Sequence, residues 1–125
     1  MPEPVSRSNA THYNWGEVSH GWRLLDDPGL SVIEEEVPAG AGEEWHVHRA
    51  AQQFFYVLDG AAVMCLENEE ISLAAGEGLT VTAGKAHRFT NRSESPVKFI
   101  VISSPSTQGD RYPVPSAARR SSTET

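Results

Sequence analysis

Residues 40–60 read Gly-Ala-Gly-Glu-Glu-Trp-His-Val-His-Arg-Ala-Ala-Gln-Gln-Phe-Phe-Tyr-Val-Leu-Asp-Gly. His46 and His48 are one residue apart, and side chains of an extended segment alternate between its faces, so both imidazoles project from the same side. A strand presents two metal ligands in this way. Gln53 opens the apolar run that follows, and parity sets Gln53, Phe55 and Val57 on one face and Phe54, Tyr56 and Leu58 on the other. An amide at the head of an apolar strand needs a polar partner. A third histidine, His87, follows in Gly76-Glu-Gly-Leu-Thr-Val-Thr-Ala-Gly-Lys-Ala-His-Arg-Phe-Thr-Asn91.

These two stretches resemble the motifs of the cupins. The first cupin motif is glycine, five residues, His-x-His, three or four residues, glutamate, six residues and glycine; Gly40, His46, His48, Gln53 and Gly60 match its spacing. The second, glycine, five residues, Pro-x-Gly, two residues, histidine, three residues and asparagine, is matched by Gly76, Gly84, His87 and Asn91. Gln53 stands in place of the glutamate and Thr82 in place of the proline. The resemblance implies a single cupin-type β-barrel, a double-stranded β-helix or jelly roll, over residues 11–105. It also implies one divalent metal ion, Mn, Fe, Ni or Zn, held by His46, His48, Gln53 and His87. Gln52 is the alternative to Gln53, but parity and the spacing to Gly60 favour Gln53.

A chain of 125 residues suits one domain. Its net charge of −7 and lack of a basic stripe argue against nucleic acid. The single cysteine, Cys65, excludes an internal disulfide and fits a reducing compartment. Residues 1–10 are polar and carry prolines, unlike a secretory leader, and no stretch approaches the length of a membrane helix. A cytoplasmic protein is expected.

Outward from the motifs, the chain reads as short strands separated by turn residues, with no helical period, which argues for an all-β barrel or sandwich. Residues 1–10 form a flexible arm. Strands are expected at Thr11 to Trp15, Trp22 to Leu25, Leu30 to Val37, Ala61 to Glu67, Ile71 to Leu73, Leu79 to Thr82 and Val97 to Ser103. Asp59-Gly60 signals a hairpin. In the last strand an outward Lys98 sets Ile100 and Ile102 outward and Phe99, Val101 and Ser103 inward. An outward apolar pair implies a covered surface and hence a homodimer. Residues 106–125 are a loop that folds back on the barrel followed by a disordered tail from Ser116 to Thr125, small and polar.

Three neutral imidazoles hold a first-row divalent ion and leave positions open. An amide at position 53 adds no negative charge, so the ion acts as a stronger Lewis acid. Phe55, Val57, Phe89, Phe99 and Val101 form the inward wall as core or cavity. Three successive glutamates in one strand cannot all face solvent, so Glu34, Glu35 and Glu36, with Tyr56, are the acid/base candidates. The expected function is a metal-dependent enzyme on a small oxygenated molecule: a Lewis-acid isomerase, lyase or cyclase, or a dioxygenase. Small cupins that ketonise unsaturated uronates share a His, His, Gln, His set but carry an aspartate where Val101 stands, so their reaction is not assigned. The alternative is a non-catalytic cupin that binds or senses a small molecule.

Overall fold

The computed structural model describes residues 2–115. Its described residues form eleven strands and no helix: β1 (Thr11–Trp15), β2 (Ser19–Asp27), β3 (Leu30–Val37), β4 (His46–Val47), β5 (Gln52–Asp59), β6 (Ala61–Leu66), β7 (Glu69–Ala74), β8 (Gly78–Val81), β9 (His87–Thr90), β10 (Val97–Ser104) and β11 (Tyr112–Pro113). They build two antiparallel sheets, one in the order β1-β2-β3-β10-β5-β8 and the other in the order β11-β4-β9-β6-β7. The expected all-β double-stranded β-helix is therefore present.

Alternation decides what lies between the sheets. In β5, Gln53, Phe55 and Val57 are buried while Phe54, Tyr56 and Leu58 are exposed, as parity requires. In β10, Phe99, Val101 and Ser103 face inward and Ile102 faces out. Phe55, Phe89 and Phe99 stack at the centre, with Phe89 and Phe99 centroids 3.9 Å apart. Burying a side chain of this size stabilises by about 1.5–3 kcal/mol before packing is counted.

Two expectations change and a third gains detail. Asp59-Gly60 closes no hairpin, because β5 pairs with β8 and β10 while β6 pairs with β7 and β9 in the other sheet. The pair is a corner that carries the chain between sheets. Gly60 has φ of 92° there, and a Cβ would stand 2.7 Å from the Pro96 carbonyl oxygen, so the close approach needs glycine. β7 begins at Glu69, leaving Glu67 and Asn68 as the turn. Finally, the loop after β10 does fold back, and it adds the short strand β11 beside β4. The segment Ser116 to Thr125, expected to be disordered, lies outside the described residues.

The outer face of the larger sheet is mixed. Arg7, in the arm before β1, lies 3.9 Å over the Trp22 ring and pairs with Glu34 and with Glu36, the latter at 3.0 Å. Nearer the other end, Ile102 sits opposite Phe54, and both are exposed. No helix among the described residues is long and apolar enough to cross a membrane.

Candidate metal centre

Only two residues of β4 are in strand, and one of them, His46, pairs directly with His87 of β9. His48 follows in the turn after β4. Their rings converge, with centroid separations of 4.3 Å for His46 and His87, 4.9 Å for His46 and His48, and 5.5 Å for His48 and His87. One ring nitrogen from each lies within 4.8 Å of the other two, and all three residues are buried.

Backbone carbonyls decide which nitrogens those are. A carbonyl oxygen can only accept, so each Nδ1 near one must carry the proton. His46 Nδ1 donates to the Glu44 carbonyl at 2.7 Å, His87 Nδ1 to the Lys85 carbonyl at 3.0 Å, and His48 Nδ1 to the Asp110 carbonyl. Every Nε2 is then left with a bare lone pair, the tautomer a metal ligand needs, and the carbonyl fixes each ring's orientation. Burial, first among the causes, pulls His46 and His87 down to about 4, so both are neutral near pH 7.

Gln53 completes the set from the opposite sheet. Its Nε2 donates to Ser103 Oγ at 3.1 Å, which leaves Oε1 3.1 Å from His87 Nε2. That nitrogen and that oxygen both offer lone pairs and have no proton between them. Such a pair is complementary to a cation, and the donor set of three imidazoles and one amide oxygen fits a first-row divalent ion. The structure thus brings His46, His48, His87 and Gln53 together, while Gln52 is exposed on the other face of β5.

The other sequence candidates are placed differently. Glu34 and Glu36 point to the outer face, where Arg7 holds them, and Tyr56 is exposed on the outer face of β5. They are corrected as acid/base candidates, for the same reason of parity that brings Gln53 inward. Glu35 is the inward member of the trio, only 8% exposed. Phe55, Val57, Phe89, Phe99 and Val101 are 4% exposed or less and pack on one another as core.

Open space lies instead at the seam between the sheets, where a cavity of about 460 Å³ is bounded by Tyr13, Trp15, Glu35, Glu43, Glu44 and Arg111. Gly42 also lines it, and a Cβ there would come within 2.9 Å of the Phe89 carbonyl oxygen. Glu43 ties this cavity to the histidines. Its Oε2 is 3.8 Å from His46 Nε2 and 3.8 Å from Arg111, and its Oε1 accepts from the Phe89 N–H at 3.0 Å. Among the described residues no carboxylate belongs to the cluster of converging ligand atoms itself. Burial and the Glu43 charge push Glu35 up to about 8, and Tyr13 donates its hydroxyl to Glu35 at 3.1 Å.

Asp110 could not be found from the sequence. Its carbonyl holds His48, and its carboxylate accepts from the N–H groups of Arg49, Ala50 and Ala51 at 2.8–3.0 Å. Burial alone would raise this carboxyl, but the N–H donors more than reverse it and hold it below the usual range. Ser103 carried a signal, the inward parity of β10. Glu43, Tyr13, Trp15 and Arg111 carried none, because the seam that gathers them exists only once both sheets have formed.

Comparison with known proteins agrees with this geometry. The sequence is 28% identical over 75 residues to an uncharacterized protein of Methanocaldococcus jannaschii, covering 60% of each chain. It is 32% identical over 78 residues to a tetracenomycin polyketide synthase protein of Streptomyces glaucescens, covering 62% of this chain and 45% of that one. The match therefore spans less than two thirds of either relative. Among solved structures, KdgF of Halomonas sp. superposes with a TM-score of 0.76 at 20% identity, covering 85% of this chain and 96% of that one. A sugar phosphate isomerase of the cupin superfamily from Silicibacter pomeroyi gives 0.72 at 21%, covering 84% and 76%. At such identities these structures show the shared fold. The family described as Cupin domain matches residues 33–103, from within β3 to the penultimate residue of β10 and including His46, His48, Gln53 and His87, and the chain belongs to that family.

Proposed function

We propose that the protein is a metal-dependent cupin enzyme acting on a small oxygenated molecule, with His46, His48, His87 and Gln53 holding one divalent ion of Mn, Fe, Ni or Zn. The observation that carries this reading is the convergence of three imidazoles, each turned by a backbone carbonyl, on the point where Ser103 directs the Gln53 oxygen. An ion held there supplies Lewis acidity to a substrate oxygen. The protein's part is to hold the ion in buried surroundings without adding charge, since an amide stands at position 53 and Glu43 stays outside the donor set. That arrangement supports a Lewis-acid isomerase, lyase or cyclase ahead of a dioxygenase. The likeness to a polyketide synthase protein supports a carbonyl-rich substrate.

A second reading, a cupin that only binds or senses its ligand, is favoured by one observation: Glu34, Glu36 and Tyr56 all point away from the centre. An oxygen-electrode and mass-spectrometric screen of metal-loaded protein against enols, unsaturated sugar acids and hydroxylated aromatics separates the readings. The expected result is a product isomeric with its substrate, or lighter by water, formed without oxygen. Oxygen uptake would select the dioxygenase, and tight binding without turnover across the panel would select the sensor.

The same reading includes a cytoplasmic homodimer that binds neither nucleic acid nor membrane. The adjoining Phe54, Tyr56 and Ile102 support a second copy as the occupant of that face, because a two-fold axis there covers the row twice. Sedimentation at twice the chain mass of 13.6 kDa is expected, and monomers at micromolar concentration would refute it.

A further inference from the structure

The seam cavity holds a group that the metal centre does not use. Glu35 interrupts a buried row in which Ile33 and Val37 flank it on β3, and its register neighbours are Gly21 on β2 and Phe99 on β10. An aliphatic side chain would suit this position, yet a carboxyl is buried there. One of its oxygens, Oε2, accepts the Tyr13 hydroxyl, and the residue lines the cavity. A nearly buried acid on a cavity wall is a costly choice for a fold and a useful one for a ligand that meets it.

The remaining walls describe that ligand. Tyr13 and Trp15 give the cavity aromatic sides, which suit a planar molecule. Arg111, half exposed, sets a guanidinium at the edge, which suits a carboxylate. Glu43, which lines the cavity, also stands 3.8 Å from His46 Nε2, so one side chain links the cavity to the candidate centre.

We propose that this cavity takes a planar, enolisable carbonyl compound bearing a carboxylate, and that Glu35 is the catalytic residue that exchanges a proton with its α-carbon. This rests on the reading of the centre as a metal-dependent enzyme. In ketonisation the O–H bond of Glu35 breaks and its proton goes to the α-carbon. The enolate C=C pair forms the new C–H bond, and an oxygen lone pair restores the C=O bond. Glu35, now a carboxylate, regains a proton from water at the cavity mouth. Enolisation runs the same transfers in reverse with Glu35 as base, and no oxidant or reductant is consumed. Tyr13 orients the carboxyl through its hydroxyl, and Arg111 anchors the carboxylate. With its acidity near neutral pH, Glu35 can both give and take a proton there.

The test uses phenylpyruvate as probe and the Zn²⁺-loaded protein, reading deuterium uptake at C3 from D₂O by mass spectrometry. Wild type is expected to accelerate exchange, and Glu35→Gln to slow it by about 100-fold. Glu35→Asp, which keeps an acid at the site, should recover part of the rate and covers the case in which Glu35→Gln does not fold. Binding is read separately by quenching of tryptophan fluorescence in metal-free protein, where Arg111→Leu is expected to weaken phenylpyruvate about 10-fold and Glu35→Gln to leave it within about 3-fold.

A third readout needs no substrate. The folded value of Glu35 lies above the ordinary 4.5, so its contribution to stability is complete below about pH 4.5 and is lost as pH rises through about 8. The groups facing it are Tyr13 of β1, Arg23 of β2, and Glu43 and Arg111 of the flanking loops. In metal-free protein this loss of Tm with rising pH should vanish in Glu35→Gln. Exchange that needs Zn²⁺ but ignores Glu35→Gln would overturn this inference and leave the metal-dependent enzyme standing. Exchange that needs Glu35 and not Zn²⁺ would overturn that reading instead. Failure of phenylpyruvate to bind, or of wild type to exchange it, would overturn the inference.

Discussion

His87→Ala is expected to leave the protein without its divalent ion: metal content, measured by elemental analysis after equilibration with Zn²⁺ and desalting, should fall from about one ion per chain to near zero. Loss of a group that merely orients a ligand already costs about 10–100-fold in affinity, so loss of a ligand should exceed the upper end of that range. His87 is a demanding choice because it touches the centre twice. It contributes one of three converging nitrogens, and its Nε2 lies 3.1 Å from the oxygen of Gln53, the one donor from the opposite sheet. Its alanine variant therefore removes one donor and leaves the Gln53 oxygen facing a void. His12→Ala is the control, since His12 lies with His20 and Trp22 in a separate ring cluster and should leave metal content unchanged. Full metal content in folded His87→Ala would mean that the three histidines are not the site.

Phe99→Ala should have the largest effect on stability. Phe99 is fully buried, stacks on Phe89 at 3.9 Å and packs at 6.1 Å from Phe55, so truncation opens a cavity between both sheets. Such a change costs about 3–5 kcal/mol, a large share of the roughly 5–15 kcal/mol that holds a domain of this size together. Urea unfolding of metal-free protein at pH 7 should show the loss as a lower midpoint with an unchanged slope. Phe99→Leu, which keeps most of the volume, should cost about 1–2 kcal/mol. A loss below about 1 kcal/mol for the alanine variant would mean that the stacked rings are not the core.

Both of these residues could be read from sequence, and for a common reason. His87 stands at a fixed spacing from Gly76, Gly84 and Asn91, and Phe99 follows by parity from an outward Lys98; each depends on a local stretch of sequence and not on which strands meet. What could not be read depends on which strands meet. Asp59-Gly60 has the composition of a hairpin, but it links strands of different sheets, a fact held in the pairing of β5 with β10 and not in the dipeptide. The glutamate trio showed that one member must face inward. Naming Glu35 required the register of β3 against β10. Asp110 is the extreme case: it lies sixty-two residues from His48 in a loop without periodicity, and only the folded chain sets its carbonyl against that ring.

The shortness of β4 bears on how such a protein can change over generations. Two residues of strand hold His46 by a single rung to His87, and the histidine rings take their orientation from carbonyls in neighbouring turns. The barrel's cohesion comes from elsewhere, chiefly the phenylalanine stack and the long ladders of β2, β3, β5 and β10. Inheritance can therefore vary the exposed positions Glu44, Arg49 and Ala50 beside the histidines and the loop residues beside Asp110, and with them the surroundings of the centre, while the scaffold absorbs little of the damage. The histidine half of the candidate centre and the cohesion of the barrel thus sit on largely different parts of one small chain, joined where Gln53 and Ser103 stand on the long β5–β10 ladder.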